Sequence, residues 1–135
     1  MRFVKTDDRA IIPTRATEGS AGYDLKTLEG FTLMPRQRHT AMTGVSIEGM
    51  TQSMVGIIRD KSKPAHKFGI TTLGRVIDSD YFPGEVGVIL LNTGSDPVTY
   101  KAGDSIAQIV FQAYTTTSDD EVDEVRNGGF GSTGK

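Results

Sequence analysis

The fold is organised around residues 74–91, which read GRVIDSDYFPGEVGVILL. The apolar pair Val76 and Ile77 leads into an acidic turn, and an apolar run over 86–91 follows a Pro-Gly corner. This order predicts a strand, a turn and a second strand, which is a hairpin with the carboxylate of Asp78 and the phenol of Tyr81 at its tip. The same local pattern is also typical of a solvated turn, so its meaning depends on the rest of the chain.

Short apolar runs separated by turn residues continue on both sides of this stretch. The chain has 16 glycines and 5 prolines, and no window keeps a helical period. Such spacing predicts an all-β sandwich or barrel. The predicted strands cover residues 3–5, 23–27, 31–33, 39–43, 53–58, 68–72, 86–91, 98–100 and 105–111.

Composition narrows the classes of function. A length of 135 residues indicates one domain, and a net charge of −2 without a basic block argues against direct nucleic-acid binding. The chain has no cysteine, which fits a cytoplasmic protein, and no apolar run long enough to predict a membrane partner. His39 and His66 are too scattered for a metal cluster, and we expect both on the surface.

The amino-acid composition of the chain changes after Tyr114. Residues 115–123 are polar and acidic, and residues 127–135 read NGGFGSTGK. We therefore expect a β domain over 1–114, followed by an acidic linker and a flexible arm over 115–135. A frayed tail is the simpler interpretation, but glycine amides, hydroxyl groups and Arg126 are what a phosphate-binding loop needs.

Five motifs in order resemble the trimeric dUTPases, which hydrolyse dUTP to dUMP and pyrophosphate. They are SAGYDL at 20–25, RDKS at 59–62, VIDSDY at 76–81, GDSIAQ at 103–108 and GFGSTG at 129–134. The resemblance implies a jelly-roll-like β fold and a homotrimer with sites shared between subunits. It also implies an enzyme that keeps uracil out of DNA and supplies dUMP for thymidylate synthesis.

The resemblance also implies a role for each site residue. Asp78 is expected to be the general base, with Asp24 in a supporting role. Tyr81 is expected to pack under the deoxyribose, and the hairpin between residues 69 and 76 to read the uracil edge. Mg²⁺ is implied as a cofactor held mainly by substrate phosphates and water. The expected substrate-binding residues are Lys61, Ser62, Gly74, Val76, Ile77, Tyr81, Gln108, Arg126, Phe130, Gly131, Ser132 and Thr133.

Two alternatives stay open at the level of the sequence. One is a dCTP deaminase-like enzyme of similar fold, against which the FGSTG tail at 130–134 argues. The other is a nucleotide-gated regulator of a partner protein. The compact length of the chain argues against this role but does not exclude it.

Overall fold

Strands dominate residues 1–127, the part of the chain that the computed structural model describes. The fold is all-β and jelly-roll-like, as the sequence predicts. The strands are β1 (Arg2–Lys5), β2 (Tyr23–Lys26), β3 (Phe31–Leu33), β4 (Arg38–Met42), β5 (Val45–Glu48), β6 (Met54–Arg59), β7 (Ile70–Leu73), β8 (Val76–Ile77), β9 (Gly87–Asn92), β10 (Val98–Tyr100) and β11 (Ser105–Ala113). A short helix, α1 (Ser62–Phe68), lies between β6 and β7.

The strands form two larger sheets and two strand pairs. One sheet has the order β2-β11-β6-β8 and the other the order β4-β9-β7, while β1 pairs with β5 and β3 with β10. Alternate residues point into a common core, so that Val88 and Leu90 of β9 are buried while Ile89 and Leu91 are half-exposed. Complete burial of a Leu or Ile side chain stabilises the fold by about 1.5–3 kcal/mol. The largest fully buried aliphatic side chains are Leu25, Leu33, Ile58, Leu90, Ile106 and Ile109.

The predicted hairpin around Asp78 is wrong. Strand β8 pairs with β6, through Gly56 opposite Ile77, whereas β9 pairs with β4 and β7 in the other sheet. Residues 78–86 therefore cross from one sheet to the other. This connection is longer than the about two to five residues of a hairpin loop, which leaves β8 and β9 free to find different partners.

The sequence pattern did not predict two of the elements. Strand β5 pairs with β1 and was not predicted, and α1 covers residues where Lys63 and Pro64 had indicated a turn. Pro64 is the third residue of α1, where its missing N–H costs no helical hydrogen bond. Gly69 ends the helix in the left-handed region with a φ of 72°.

The two histidines differ in their surroundings. His66 is exposed on α1, as predicted. His39 is half-buried, and its ring stacks on Phe31 with the ring centroids 4.1 Å apart. Within residues 1–127, no helix is both long and apolar enough to cross a membrane.

Candidate active site

Four of the predicted site residues meet at one end of the sheet that contains β11. In the strand register, Gln108 of β11 lies between Asp24 of β2 and Arg59 of β6. The Nζ of Lys61, just beyond β6, donates a hydrogen bond of 2.6 Å to Oδ1 of Asp24. Ser62 follows Lys61 as the exposed first residue of α1. We call Asp24, Lys61, Ser62 and Gln108 the Lys61 cluster.

Close packing holds this cluster in place. Nε2 of Gln108 donates a hydrogen bond of 3.0 Å to the carbonyl oxygen of Asp60. Gly22 is buried against Gln108, and a Cβ atom at this position would overlap the side-chain amide. This contact explains the glycine of the SAGYDL motif. The Lys61 ammonium carries three N–H donors, so its pair with Asp24 leaves donors for an anionic ligand.

Asp78 and Tyr81 lie on the crossing segment after β8. The carboxylate of Asp78 is about half-exposed, with a relative accessibility of 52%. The backbone N–H of Tyr81 donates to the carbonyl oxygen of Asp78 at 3.2 Å, and the Tyr81 hydroxyl donates to the carbonyl oxygen of Glu85 at 2.9 Å. These contacts fix the turn that carries both side chains.

The Tyr81 ring is packed tightly against Gly84. A Cβ atom on Gly84 would come within 2.6 Å of Cζ of Tyr81, so only glycine allows this approach. Burial raises the pKa of Tyr81, the Glu85 charge adds to this effect, and the Arg126 charge opposes it. The phenol therefore stays neutral at physiological pH.

Arg126 lies against the two carboxylates that follow β8. Its Nη2 is 2.6 Å from Oδ2 of Asp78, and its Nε is 2.8 Å from Oδ1 of Asp80. The Arg126 side chain is only 15% exposed. The chain thus returns to the Asp78 region after residues 115–125, where the structure has no helix or strand.

The turn after β7 and strand β8 itself contain the other predicted base-binding residues. Gly74 is exposed with a φ of 55°, a conformation that suits glycine. Val76 is 57% exposed, whereas the Ile77 side chain is buried in the core. Gly74 and Val76 are thus accessible to a ligand, and Ile77 offers only its backbone.

The structure does not bring Asp78 and Lys61 together. Ile77 lies opposite Gly56 on β6, so Asp78 continues toward Val55, six residues before Lys61. At about 3.3 Å per residue, the two sites are roughly 20 Å apart along the strand. A lysine on a four-carbon stem does not cover this distance.

Sequence reasoning missed several polar residues near these sites. Asp60 accepts hydrogen bonds from Thr71 and Thr72, and Arg75 donates to both threonines. Asp80 shares the Arg126 guanidinium with Asp78. The second acid of the DSDY segment was the available signal for Asp80, whereas nothing in local sequence pairs Asp60 with two threonines more than ten residues away.

The carboxylates do not form a metal cage within the described part of the chain. Among residues 1–127, no three His, Cys, Asp or Glu residues are placed to hold one ion. Asp24 lies beside Lys61, while Asp78 and Asp80 both contact Arg126. Phe130, Gly131, Ser132 and Thr133 lie outside the described residues.

Known proteins are similar to this chain in sequence and in fold. Residues 8–134 match the dUTPase family model. A deoxyuridine 5'-triphosphate nucleotidohydrolase from Clostridium novyi is 41% identical over 96% of this chain and 95% of its own length. The crystal structure of dUTPase from Streptococcus mutans has a TM-score of 0.78 at 27% identity, and covers 87% of this chain and 99% of that one. A mutant dUTPase from phage phi11 of S. aureus, described with a structural Mg(II) ion, has a TM-score of 0.80 at 20% identity over 91% and 96% of the two chains.

Proposed function

This chain belongs to the dUTPase family, and we propose that it hydrolyses dUTP to dUMP and pyrophosphate with Asp78 as the general base. The observation that carries the assignment of Asp78 is its position, since its half-exposed carboxylate lies on the turn that the backbone hydrogen bond from Tyr81 closes. A positioned carboxylate that takes a proton from water contributes typically about 10²- to 10⁴-fold to a rate. No deaminase is among the relatives described above.

The reaction requires attack of a water oxygen on the α-phosphorus. Asp78 accepts a proton from that water, a bond forms between the water oxygen and the α-phosphorus, and the bond from the α-phosphorus to the bridging oxygen breaks. The electron pair leaves with pyrophosphate. The phosphate oxygens bind to Lys61, Ser62 and Gln108. These contacts hold the triphosphate in line for this displacement.

The segment after β7 selects the nucleoside. Tyr81 packs against the deoxyribose and leaves no space for a 2′-hydroxyl group. Backbone groups of Gly74, Val76 and Ile77 read the uracil edge. The exposure of residues Gly74 and Val76 supports this assignment, because groups that bind a base must be accessible.

Mg²⁺ fits this site as an ion that the substrate brings. Mg²⁺ keeps several waters and binds through phosphate oxygens, so it does not need a protein cage. Asp24, which accepts a hydrogen bond from Lys61, would accept hydrogen bonds from the waters of the ion. The bound ion supplies charge neutralisation of the triphosphate.

We also propose a homotrimer in which each site takes residues from different subunits. The separation of roughly 20 Å between Asp78 and Lys61 supports this arrangement, because both must reach the same triphosphate. The outer side of the β4-β9-β7 sheet carries half-exposed Leu73, Ile89 and Leu91. These apolar side chains suit a contact between subunits.

Residues 115–135 act as an arm that closes over the bound nucleotide. In this proposal Arg126 binds the γ-phosphate and Phe130 stacks on uracil. Gly131, Ser132 and Thr133 contribute donors to the phosphates. The absence of cysteine from the chain suits a reaction in the cytoplasm.

The test is pyrophosphate release from each deoxynucleoside triphosphate, and from UTP, with Mg²⁺ present. We expect release from dUTP at a kcat/KM far above that for any other nucleotide. Ammonia release from dCTP would indicate a deaminase instead. Tight binding of dUTP without release of pyrophosphate would indicate a regulator.

A further inference from the structure

The carboxylate of Asp60 is bound by the strand that leads into the base-binding segment. Oδ1 accepts hydrogen bonds from the backbone N–H of Thr72 at 2.8 Å and from its hydroxyl at 2.7 Å. Oδ2 accepts a hydrogen bond of 2.9 Å from the hydroxyl of Thr71. Three donors from two adjacent residues thus hold one side chain.

Arg75 extends this contact across the turn between β7 and β8. Its Nε donates to the carbonyl oxygen of Thr72 at 2.7 Å, and its Nη2 donates to Oγ1 of Thr71 at 3.2 Å. The Thr71 hydroxyl therefore donates to Asp60 while it accepts from Arg75. The carbonyl oxygen of Arg75 accepts from the N–H of Ile58 at 2.8 Å, so main chain and side chain of Arg75 are both held.

The backbone of Asp60 belongs to the other half of the site. Its carbonyl oxygen accepts the hydrogen bond from Gln108, and Lys61 is the next residue. Partial burial alone would favour the neutral acid, but the hydrogen bonds from Thr72 and Thr71 and the Arg75 charge outweigh it and lower the pKa of Asp60. The carboxylate is charged at neutral pH and keeps all of these donors engaged.

We propose that Asp60 is a positioning residue that fixes the β7–β8 segment and thereby sets the discrimination between dUTP and dTTP. The inference rests on the proposed function, in which this segment reads the uracil edge. Rejection of one methyl group changes the ratio of kcat/KM values by only roughly 10- to 200-fold. It requires a pocket wall that is held rigidly in place. Without Asp60, the Thr72 N–H and the Thr71 hydroxyl lose their acceptor, and the wall gains freedom to admit the thymine methyl.

Three variants and the wild type test this role. In Asp60→Ala, all three hydrogen bonds are lost. In Asp60→Asn, Oδ1 still accepts both bonds from Thr72, and the amide donates to the Thr71 oxygen. Asp104→Ala is the matched control, because Asp104 also accepts a backbone N–H, that of Lys101, but in a different turn. The measured quantity is the ratio of kcat/KM for dUTP to kcat/KM for dTTP, with circular dichroism as a check on folding.

We expect Asp60→Ala to lower this ratio at least about fivefold, part of the roughly 10- to 200-fold available, while Asp60→Asn and Asp104→Ala keep it within about twofold. A uniform loss of activity in Asp60→Ala with an unchanged ratio would overturn the inference, as would an equal loss of selectivity in Asp60→Asn. If Asp60→Ala does not fold, Thr72→Val removes one bond to the same oxygen and must lower the ratio in the same direction. Wild-type protein without activity on dUTP would overturn the proposed function itself.

Discussion

The guanidinium of Arg126 lies 2.6 Å from the carboxylate of Asp78. The residue proposed to bind the γ-phosphate is therefore paired with the residue proposed to act as the base. The γ-phosphate would offer Arg126 a bidentate partner in place of the two carboxylates. Closure of the arm on dUTP would thus move the guanidinium from Asp78 to the nucleotide and free the base in the same step.

Asp80→Asn should make the arm easier to close. Asp80 holds Arg126 through a bond of 2.8 Å without being part of the proposed chemistry. Exposed ion pairs contribute about 0.2–1 kcal/mol, so we expect up to about fivefold tighter binding of a non-hydrolysable dUTP analogue, with kcat unchanged. This gain in affinity should become smaller at high salt, because salt screens the ion pair that the variant removes. Asp96→Asn removes the same charge elsewhere on the surface, and an equal gain in that control would speak against a specific contact.

Asp78→Asn should reduce kcat by at least about 10²-fold, because a base acts mainly in the transition state. Binding of the non-hydrolysable analogue, measured by calorimetry, should not weaken, and it should tighten by up to about fivefold because this variant also loses an ion pair with Arg126. Asp80→Asn is the control for the loss of one negative charge at this place. Near-normal turnover in the Asp78 variant would remove Asp78 from the mechanism.

Mixed subunits test whether sites are shared. An Asp78→Asn chain and a Lys61→Ala chain are each expected to be inactive alone. After unfolding and joint refolding in equal amounts, about a quarter of the sites should contain an intact Asp78 from one chain and an intact Lys61 from another. Turnover should recover to about that fraction. If light scattering shows an active monomer of about 14.6 kDa, the shared-site model is wrong.

Tyr81→Ala should narrow the preference for dUTP over UTP, because it removes the ring proposed to exclude the 2′-hydroxyl. Tyr81→Phe keeps the ring and loses the hydrogen bond to the carbonyl oxygen of Glu85. We expect the phenylalanine variant to retain the preference and the alanine variant to lose much of it. Unchanged ratios of kcat/KM in both would show that the ring is not the sugar gate.

Removal of residues 127–135 should abolish most of the activity and leave the melting temperature nearly unchanged. The core strands end at Ala113, so truncation after Arg126 leaves every strand of the fold intact. Phe130→Ala should fall between the truncated and the complete chain. Full activity in the truncated protein would mean that these residues are only a tail, and parallel losses of activity and stability would mean that they are structural.

The sequence by itself determined the class of fold and the functional groups that are available to a site. Alternating apolar residues and regularly spaced turns predicted an all-β chain, because each strand must bury one face. The predicted strand over 31–33 coincides with β3, and that over 98–100 with β10. The motifs and the tail led to the prediction of Asp78, Lys61, Gln108 and Arg126 as site residues, since each brings a functional group whose type does not depend on the fold.

Only the tertiary structure decided which of these groups meet. In the tertiary structure, β8 pairs with β6 rather than with β9. The sequence did not predict this pairing, because the local pattern of a strand does not encode its hydrogen-bonding partner. The tertiary structure placed Lys61 on Asp24 and Arg126 on Asp78, across 37 and 48 positions of sequence. It also gave Asp60 its threonine partners. Contacts at such separations depend on how whole sheets pack, so no short stretch of sequence specifies them.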